Sequence, residues 1–256
     1  MKYFTTALFL IIAVFHQQVV AKENTVSADK RAMAIADASV NAIGGRENYN
    51  NTRYLSWVFF GKRFHVWDKY TGDIRIEYGK GDLLLMNVHT KQGRVWENGQ
   101  EITDKAQLKK KIDWGYKVWI NDSYWVVMPF KLHDDGVNLA YTREDMSLDG
   151  RPVDVLTMTF NDVGVTPDNK YEVFFDKETK RFSEFAYYPT IDTKEPRFRM
   201  PWKNWKTHGN IMLSDDRGEA GMSPINIFMT LPATIFTSQQ SAKTPSGKII
   251  EGAIIK

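Results

Sequence analysis

The chain has 256 residues, of which 43% are hydrophobic and 13% aromatic, and its formal net charge is only +3. A charge so close to balance excludes the broad positive field that sequence-independent nucleic-acid binding needs. The sequence contains no cysteine. This excludes disulfides, thiolate catalysis, cysteine-based zinc sites and lipid attachment at an N-terminal cysteine. The fold must therefore be held by a hydrophobic core, and the chain is long enough to build one.

The first residues have the pattern of a cleavable export signal. Lys2 provides the positive start, Ala7 to Phe15 form an uncharged apolar run, and Val19 and Ala21 occupy the positions that a signal peptidase reads. The run is too short to span a bilayer permanently. We therefore predict a signal peptide over residues 1–21, with no integral membrane anchor after cleavage. The alternative, an amphipathic first helix, would need a polar face that the run lacks.

A helix and a series of strands come next in chain order. Ser27 to Ile43 has apolar residues at helical spacing and ends at Gly44-Gly45, which provides a C-terminal stop. From Arg53 the hydrophobic period changes to two, and five short strands are predicted up to Trp96. Asn98-Gly99, which follows them, is the strongest hairpin signal in the chain.

Alternation within these strands assigns their side chains to two faces, because successive residues of a strand point to opposite sides of the sheet. The residues predicted to be buried are Trp57, Phe64 and Ile76. The residues predicted to face solvent are Arg63, His65, Arg75 and Glu77.

The middle of the chain, Thr103 to Leu132, is predicted to be helical, with Thr103 as its cap. Asn121-Asp122-Ser123 interrupts that pattern, and Pro129 forbids a regular helix at its position. Alternating runs resume after Gly136, which gives about ten strands joined mainly by short turns, as in an antiparallel meander.

The predicted fold class is α+β, with a mainly antiparallel, strongly curved sheet of about ten strands. This incomplete β-barrel wraps around the N-terminal helix and the central helical segment. Residues 22–237 are predicted to form one domain. Residues 238–256, rich in Ser, Gln, Thr and Gly, predict a flexible C-terminal tail.

A sheet of this size has more apolar inner surface than two helices can cover, and the surplus predicts a hydrophobic cavity open at one edge. The candidate ligand-binding residues on strands are Trp57, Phe59, Phe64, Ile76 and Tyr78. The lid candidates are Trp119, Tyr124, Trp125 and Phe130. The alternative for each aromatic is an ordinary place in the core, since a lid and a core plug have the same sequence pattern.

Five segments between about Ala28 and Pro232 carry a family resemblance. They are Ile43-Gly44-Gly45, Trp119 to Trp125, Pro129 to Leu132, Asp135-Gly136-Val137 and Thr166-Pro167. Together they resemble an uncharacterised exported family of the LolA/LolB-like superfamily, the periplasmic carriers that sort outer-membrane lipoproteins. The resemblance implies a half-barrel with a helical lid and a hydrophobic cavity, in the periplasm or outside a Gram-negative-type bacterium. It does not imply lipoprotein transport, because fold does not fix function.

The sequence has no GxSxG, HExxH, P-loop or GxGxxG motif. We therefore expect no catalytic residue, no metal and no cofactor, and we interpret the Lys109-Lys110-Lys111 run as a solvated helix face. The favoured function is a binding protein for a lipid or acylated molecule, with transient contacts to membranes or lipoproteins. The alternatives are a structural or interaction protein with a filled core and, with less support, a hydrolase.

Overall fold

The computed structural model of the chain describes residues 30–161 and 168–255. The predicted signal peptide, residues 1–21, lies outside them. Within the described ranges there are three α-helices: α1 over residues 30–42, α2 (Gly45–Asn51) and α3 (Lys105–Val127). Two short 3-10 turns, Met128–Phe130 and Ala233–Phe236, follow α3 and the last strand.

The predicted stop after α1 is confirmed at Gly44 and Gly45, whose φ angles are 109° and 83°. Such angles are costly for any residue with a Cβ. Gly44 is also confined by space, because a Cβ there would lie 2.4 Å from the carbonyl oxygen of Asn210. The turn therefore places α1 and α2 directly against the strand that begins at Ile211.

Helix α3 differs from its prediction at both ends. Its N-cap is Asp104 rather than Thr103, since the Asp104 carboxylate accepts a hydrogen bond of 2.8 Å from the backbone N–H of Gln107. The helix also continues through Asp122 and Ser123, where the sequence predicts a break. Asp122 is tolerated there because its carboxylate bonds to side chains of the sheet below instead of to its own backbone.

The first sheet is antiparallel and has the strand order β14-β1-β2-β3-β4-β5-β6. Its strands are β1 (Tyr54–Phe59), β2 (Arg63–Asp68), β3 (Asp73–Gly79), β4 (Asp82–Asn87), β5 (Gln92–Glu97), β6 (Gln100–Glu101) and β14 (Ile225–Phe228). The predicted hairpin at Asn98-Gly99 joins β5 to β6. Strands β1 to β6 therefore form a continuous meander, and β14 closes one side of it.

The second sheet, also antiparallel, has the order β11-β10-β9-β8-β7. Its strands are β7 (Val137–Met146), β8 (Pro152–Phe160), β9 (Lys170–Asp176), β10 (Phe182–Tyr188) and β11 (Phe198–Pro201). A separate hairpin pairs β12 (Lys203–His208) with β13 (Ile211–Asp216).

The predicted α+β class with antiparallel sheets that do not close into a barrel is confirmed among the described residues. They contain fourteen strands in three sheets rather than about ten in one. The difference arises where the pattern is weakest. The two-residue β6 is too short to show alternation, and the run Arg197 to His208 divides at the buried Trp202 into β11 and β12.

Both faces of the first sheet are covered, and this corrects the solvent-facing assignments. Trp57, Phe64 and Ile76 are buried as predicted. The prediction that His65, Arg75 and Glu77 face solvent is wrong, because each is at most 1% exposed, and Arg63 is half-buried. Alternation along a strand separates buried from exposed residues only when one face of the sheet is in contact with water.

The pairing register shows how the faces are divided. Phe64 lies opposite Glu77, and His65 lies opposite Ile76. Phe64 therefore shares a face with Glu77, whereas His65 and Ile76 share the face that packs under α3. The prediction of one common inner face for Phe64 and Ile76 is wrong for that reason.

Residues 238–255, for which the sequence predicts a flexible tail, pack on the face of the first sheet that α3 does not cover. The guanidinium of Arg75 donates to Glu77 and to the backbone carbonyls of Ser238 and Gln240. The second oxygen of the Glu77 carboxylate accepts from the backbone N–H of Ile254 at 2.6 Å. Three residues of the segment are buried against the sheet: Ala242, Ile250 and Ala253. The segment packs there because its backbone completes the hydrogen bonds of the buried Arg75–Glu77 ion pair, which the sheet alone would leave unsatisfied.

Candidate functional site

Seven aromatic side chains form a half-buried set between the two large sheets, which we call the aromatic rim. They are Phe60, Tyr124, Trp125, Phe160, Tyr171, Tyr187 and Phe198. Each is partly exposed, and each has an aromatic neighbour within the set. A contiguous aromatic surface that reaches solvent marks a candidate binding site.

Trp125, near the end of α3, connects the two sides of the rim. Its ring centroid lies 5.2 Å from that of Phe60 on the first sheet side and 6.3 Å from that of Phe198 on the second sheet. Beneath it lies Phe185, at 4.9 Å and nearly edge-on. Phe185 is 1% exposed and forms the floor of the rim.

The second sheet provides a row of three rim residues on adjacent strands. Tyr187 of β10 lies directly opposite Tyr171 of β9 and Phe198 of β11. The ring centroids are 5.5 Å and 5.2 Å apart. Directly opposed side chains on one sheet face are the closest neighbours that a sheet offers, so the backbone register itself builds the row.

Phe160 and Tyr124 close the rim on its remaining side. The Phe160 ring lies 5.9 Å from Tyr171 and 6.4 Å from Tyr124. The Tyr124 hydroxyl lies 3.6 Å from the sulfur of Met158. Burial raises the pKa of Tyr124, so its phenol stays neutral.

Burial keeps two phenols of the rim, those of Tyr124 and Tyr171, uncharged at neutral pH. Burial raises the pKa of Tyr171, against a smaller opposing effect of its hydrogen bond to Asn169. The Tyr187 hydroxyl donates to the side-chain oxygen of Asn169 at 3.4 Å. Aromatic faces with neutral hydroxyls at their edge suit an apolar ligand with few polar groups.

Asp122 fastens α3 to the first sheet three residues before Trp125. Its carboxylate accepts two hydrogen bonds from Arg63, at 2.7 and 3.0 Å, and lies 2.8 Å from Nε2 of His65. The His65 ring stacks on Trp57, with centroids 4.6 Å apart and planes 1° apart. The helix therefore has a fixed position and rotation where Trp125 leaves it.

Burial opposes ionisation of Asp122, but the hydrogen bonds from His65 and Arg63 outweigh it and hold the pKa of this carboxyl below its usual value. Burial likewise lowers the pKa of His65, and its contact with Asp122 only partly offsets this. The bidentate Arg63 already balances the carboxylate charge, so at neutral pH His65 is uncharged and donates from Nε2.

A second anchor holds the backbone of Trp125. Arg217, which is 1% exposed, donates from Nη2 to the Trp125 carbonyl at 2.6 Å and lies over the Trp202 ring at 3.5 Å. Burial lowers the pKa of Arg217 to about 9, which leaves it protonated at neutral pH. Asp122 and Arg217 together hold the backbone of α3 on both sides of the Trp125 side chain's attachment to the rim, through the carboxylate at Asp122 and the Trp125 carbonyl.

The structure divides the nine predicted site residues among different environments. Tyr124 and Trp125 lie on the rim. Trp57, Phe59 and Phe130 belong to one core cluster. Ile76, Tyr78 and Trp119 meet in a neighbouring cluster under α3. Phe64 lies on the opposite face, under the C-terminal segment.

Five rim residues were missed by the sequence interpretation: Phe60, Phe160, Tyr171, Tyr187 and Phe198. Four of them lie on β8 to β11 and share a face, and the signal was present as alternation in the runs that form these strands. Alternation does not identify these residues as a site, because a sheet face that is covered by the core and one that is open to solvent have the same sequence pattern.

Two surface cavities have no rim residue in their linings, and both linings include charged side chains. One of about 410 Å³ is lined by residues of α3, including Lys110 and Trp114. Another, of about 290 Å³, is lined by residues of the second sheet and β12, including Arg181 and Trp205. Neither is the enclosed apolar cavity that the family resemblance implies.

The described residues contain no group of three His, Asp or Glu side chains placed to hold a metal ion. No helix among residues 30–161 and 168–255 is long and apolar enough to cross a membrane.

Known proteins similar to this chain were found only at the level of structure. No family model matches the chain, and no curated protein matches its sequence. A DUF1329 family protein from Desulfovibrio piger is 13% identical with a TM-score of 0.44, and the match covers 80% of this chain and 96% of that one. A LolA superfamily protein from Nitrosomonas europaea is 12% identical with a TM-score of 0.35, covering 81% and 97%.

Proposed function

We propose that the protein is an exported binding protein that carries a lipid or acyl chain on the aromatic rim. The observation that supports this most directly is the continuity of seven half-buried aromatic residues from the turn after β1, over the end of α3, to the second sheet. Export rests on the pattern of residues 1–21, which precede the described part of the chain. The aromatic faces of the rim, with the phenols of Tyr124 and Tyr171 kept neutral by burial, fit a long apolar ligand better than a charged one.

The energetics fit a ligand of acyl-chain length. Burying an acyl chain yields about 0.8 kcal/mol for each CH₂, so a dozen methylenes give about 10 kcal/mol. Association costs roughly 4–15 kcal/mol because the ligand and the protein lose translational and rotational freedom. The two quantities are similar, so affinity depends on chain length, and short acyl chains bind weakly.

Within the predicted lid, Trp119 to Phe130, we assign control of access to Trp125. Its backbone is held by Arg217, and Asp122 fixes the preceding turn of α3. Phe130 is fully buried and stacks on Tyr49 at 4.4 Å. The half-buried indole of Trp125 can change rotamer without moving these anchors.

A second candidate function, a structural or interaction protein with a filled core, is favoured by one observation. Trp57, Phe59 and Phe130 are between 0% and 7% exposed and pack together instead of lining a cavity. In that case the rim is a contact surface for another macromolecule, and a free acyl chain does not bind.

Titration with a fluorescent fatty acid separates the two functions. If the protein is a carrier, the wild type should bind the fatty acid saturably. The double variant Tyr187→Ala/Phe198→Ala should lose at least tenfold in affinity, since each ring contributes roughly 1 kcal/mol to the binding free energy. Tyr78→Ala is the matched control, because Tyr78 is also a half-buried aromatic but contacts Trp114, outside the rim. No saturable binding by the wild type, or equal losses in both variants, contradicts the proposal.

A further inference from the structure

The outward side of α3 carries a stripe of six residues that line the surface cavity of about 410 Å³. They are Ala106, Lys109, Lys110, Asp113, Trp114 and Lys117. Their spacing of three and four places them on one side of the helix. We call this set the lysine stripe.

The rotation of α3 is fixed by its opposite side. Ile112 is buried, and Gly115 lies so close to the first sheet that a Cβ there would be 2.2 Å from a methyl carbon of Leu84. Only glycine permits this approach. The lysine stripe is therefore held outward, facing solvent.

The stripe carries positive charge that neighbouring acids do not balance. Lys109 pairs with Asp113 at 2.5 Å, and the nearby Lys111 pairs with Glu97. Lys110 and Lys117 are exposed, and neither forms an ion pair with any residue that the structure describes. They flank Trp114 on the helix at i−4 and i+3.

Trp114 places an amphipathic ring in the middle of these charges. It is half-buried, and its ring centroid lies 4.9 Å from that of Tyr78, with the ring planes 64° apart. A tryptophan with an apolar body and a polar edge, surrounded by long cationic side chains, is the combination found where proteins meet the headgroup region of a bilayer.

We propose that the lysine stripe docks the protein on an anionic membrane surface. All six lining residues belong to one helix, so no second element of the fold forms an opposing wall. A groove that binds a peptide needs apolar pockets on both sides of its ligand. A bilayer surface is met by a single face, and its anionic lipids attract unpaired lysines.

This docking surface is separate from the aromatic rim. Trp114 and Trp125 lie on the same helix eleven residues apart, or about 16 Å at 1.5 Å per residue. The inference therefore does not depend on acyl-chain binding, although docking would bring the rim close to lipid.

Co-sedimentation with vesicles tests the proposal, using phosphatidylcholine alone against phosphatidylcholine with added phosphatidylglycerol. The wild type should bind only the anionic vesicles, and binding should weaken as salt is raised. Lys110→Ala/Lys117→Ala should lose about 25-fold in binding, or about fivefold for each lysine near the surface. Trp114→Ala should also weaken binding to the anionic vesicles, and this loss should already be present at low salt.

Lys243→Ala/Lys248→Ala is the matched control, because it removes the same charge from two exposed lysines of the C-terminal segment, on the other face of the first sheet. It should bind like the wild type. Failure of the wild type to bind anionic vesicles at low salt, as expected if the stripe serves an acidic protein, overturns the proposal. So does an equal loss in the two double variants. Fatty-acid affinity of Lys110→Ala/Lys117→Ala should be unchanged, which keeps this outcome distinct from failure of the carrier function.

Discussion

Replacement of Asp122 by alanine removes the carboxylate that joins α3 to the first sheet. The change deletes two hydrogen bonds from Arg63 and one contact with His65, all between 2.7 and 3.0 Å. Removing one partner of a buried ion pair typically costs about 3–5 kcal/mol. Arg63 is still 22% exposed and can turn partly to water. We therefore expect Asp122→Ala to lower the free energy of unfolding by about 3 kcal/mol, the lower end of this range.

The loss should appear as a lower urea midpoint with an unchanged slope, followed by tryptophan fluorescence and circular dichroism. In a thermal scan it corresponds to a decrease of about 6–12 °C in Tm for a protein of this size. Coincident transitions from the two probes are needed for a two-state analysis.

Glu101→Ala provides the matched control. Arg94 binds Glu101 through two hydrogen bonds of 2.7 Å each, so the pair has the same chemistry as Arg63 and Asp122. Its side chains are 54% and 35% exposed, however. An exposed pair contributes about 0–1 kcal/mol. If Asp122→Ala loses no more stability than Glu101→Ala, burial of the Asp122 cluster does not anchor α3 and the argument fails.

Two further predictions concern the covered faces of the first sheet. Burial lowers the pKa of His65 in the folded protein. As pH falls through about 6.5, the usual histidine pKa, His65 therefore takes up a proton in the unfolded chain before it does so in the folded one. The contribution of neutral His65 to stability is present above that pH and is lost below it. Urea midpoints at about pH 7.5 and about pH 5.5 should differ more for the wild type than for His65→Gln, and equal differences would contradict the assignment. Ile250→Ala should lower the free energy of unfolding by about 2–5 kcal/mol in the same assay, because Ile250 is only 2% exposed in the C-terminal segment. The control is Ile191→Ala, which should change it by less than about 0.5 kcal/mol because Ile191 is 59% exposed. Similar values for the two isoleucine variants would mean that the segment is not docked in solution.

Local chemistry made several elements predictable. Gly44 and Gly45 end a helix because of their positive φ angles, and Asn98-Gly99 turns a hairpin for the same reason. The change of hydrophobic period at Arg53 marked the start of the strands, since side-chain direction repeats every two residues in a strand. Each of these depends on neighbours in sequence alone.

The break predicted at Asn121-Asp122-Ser123 shows where local chemistry is insufficient. Asp and Asn weaken helices by bonding to nearby backbone. In the folded protein Asp122 bonds instead to Arg63, 59 residues away, and the helix continues. Only the packing of α3 on the first sheet brings these residues together.

Composition and periodicity are enough to predict the α+β class, the antiparallel strands, the absence of cysteine chemistry and the apolar character of the strands. Which apolar residues remain partly open to solvent depends on how the strands and helices pack. Tyr171, Tyr187 and Phe198 form a row only because β9, β10 and β11 pair in one register. Arg75 and Glu77 are buried only because the C-terminal segment covers them. Alternation specifies two faces of a strand, but what covers each face is set by contacts between residues far apart in sequence.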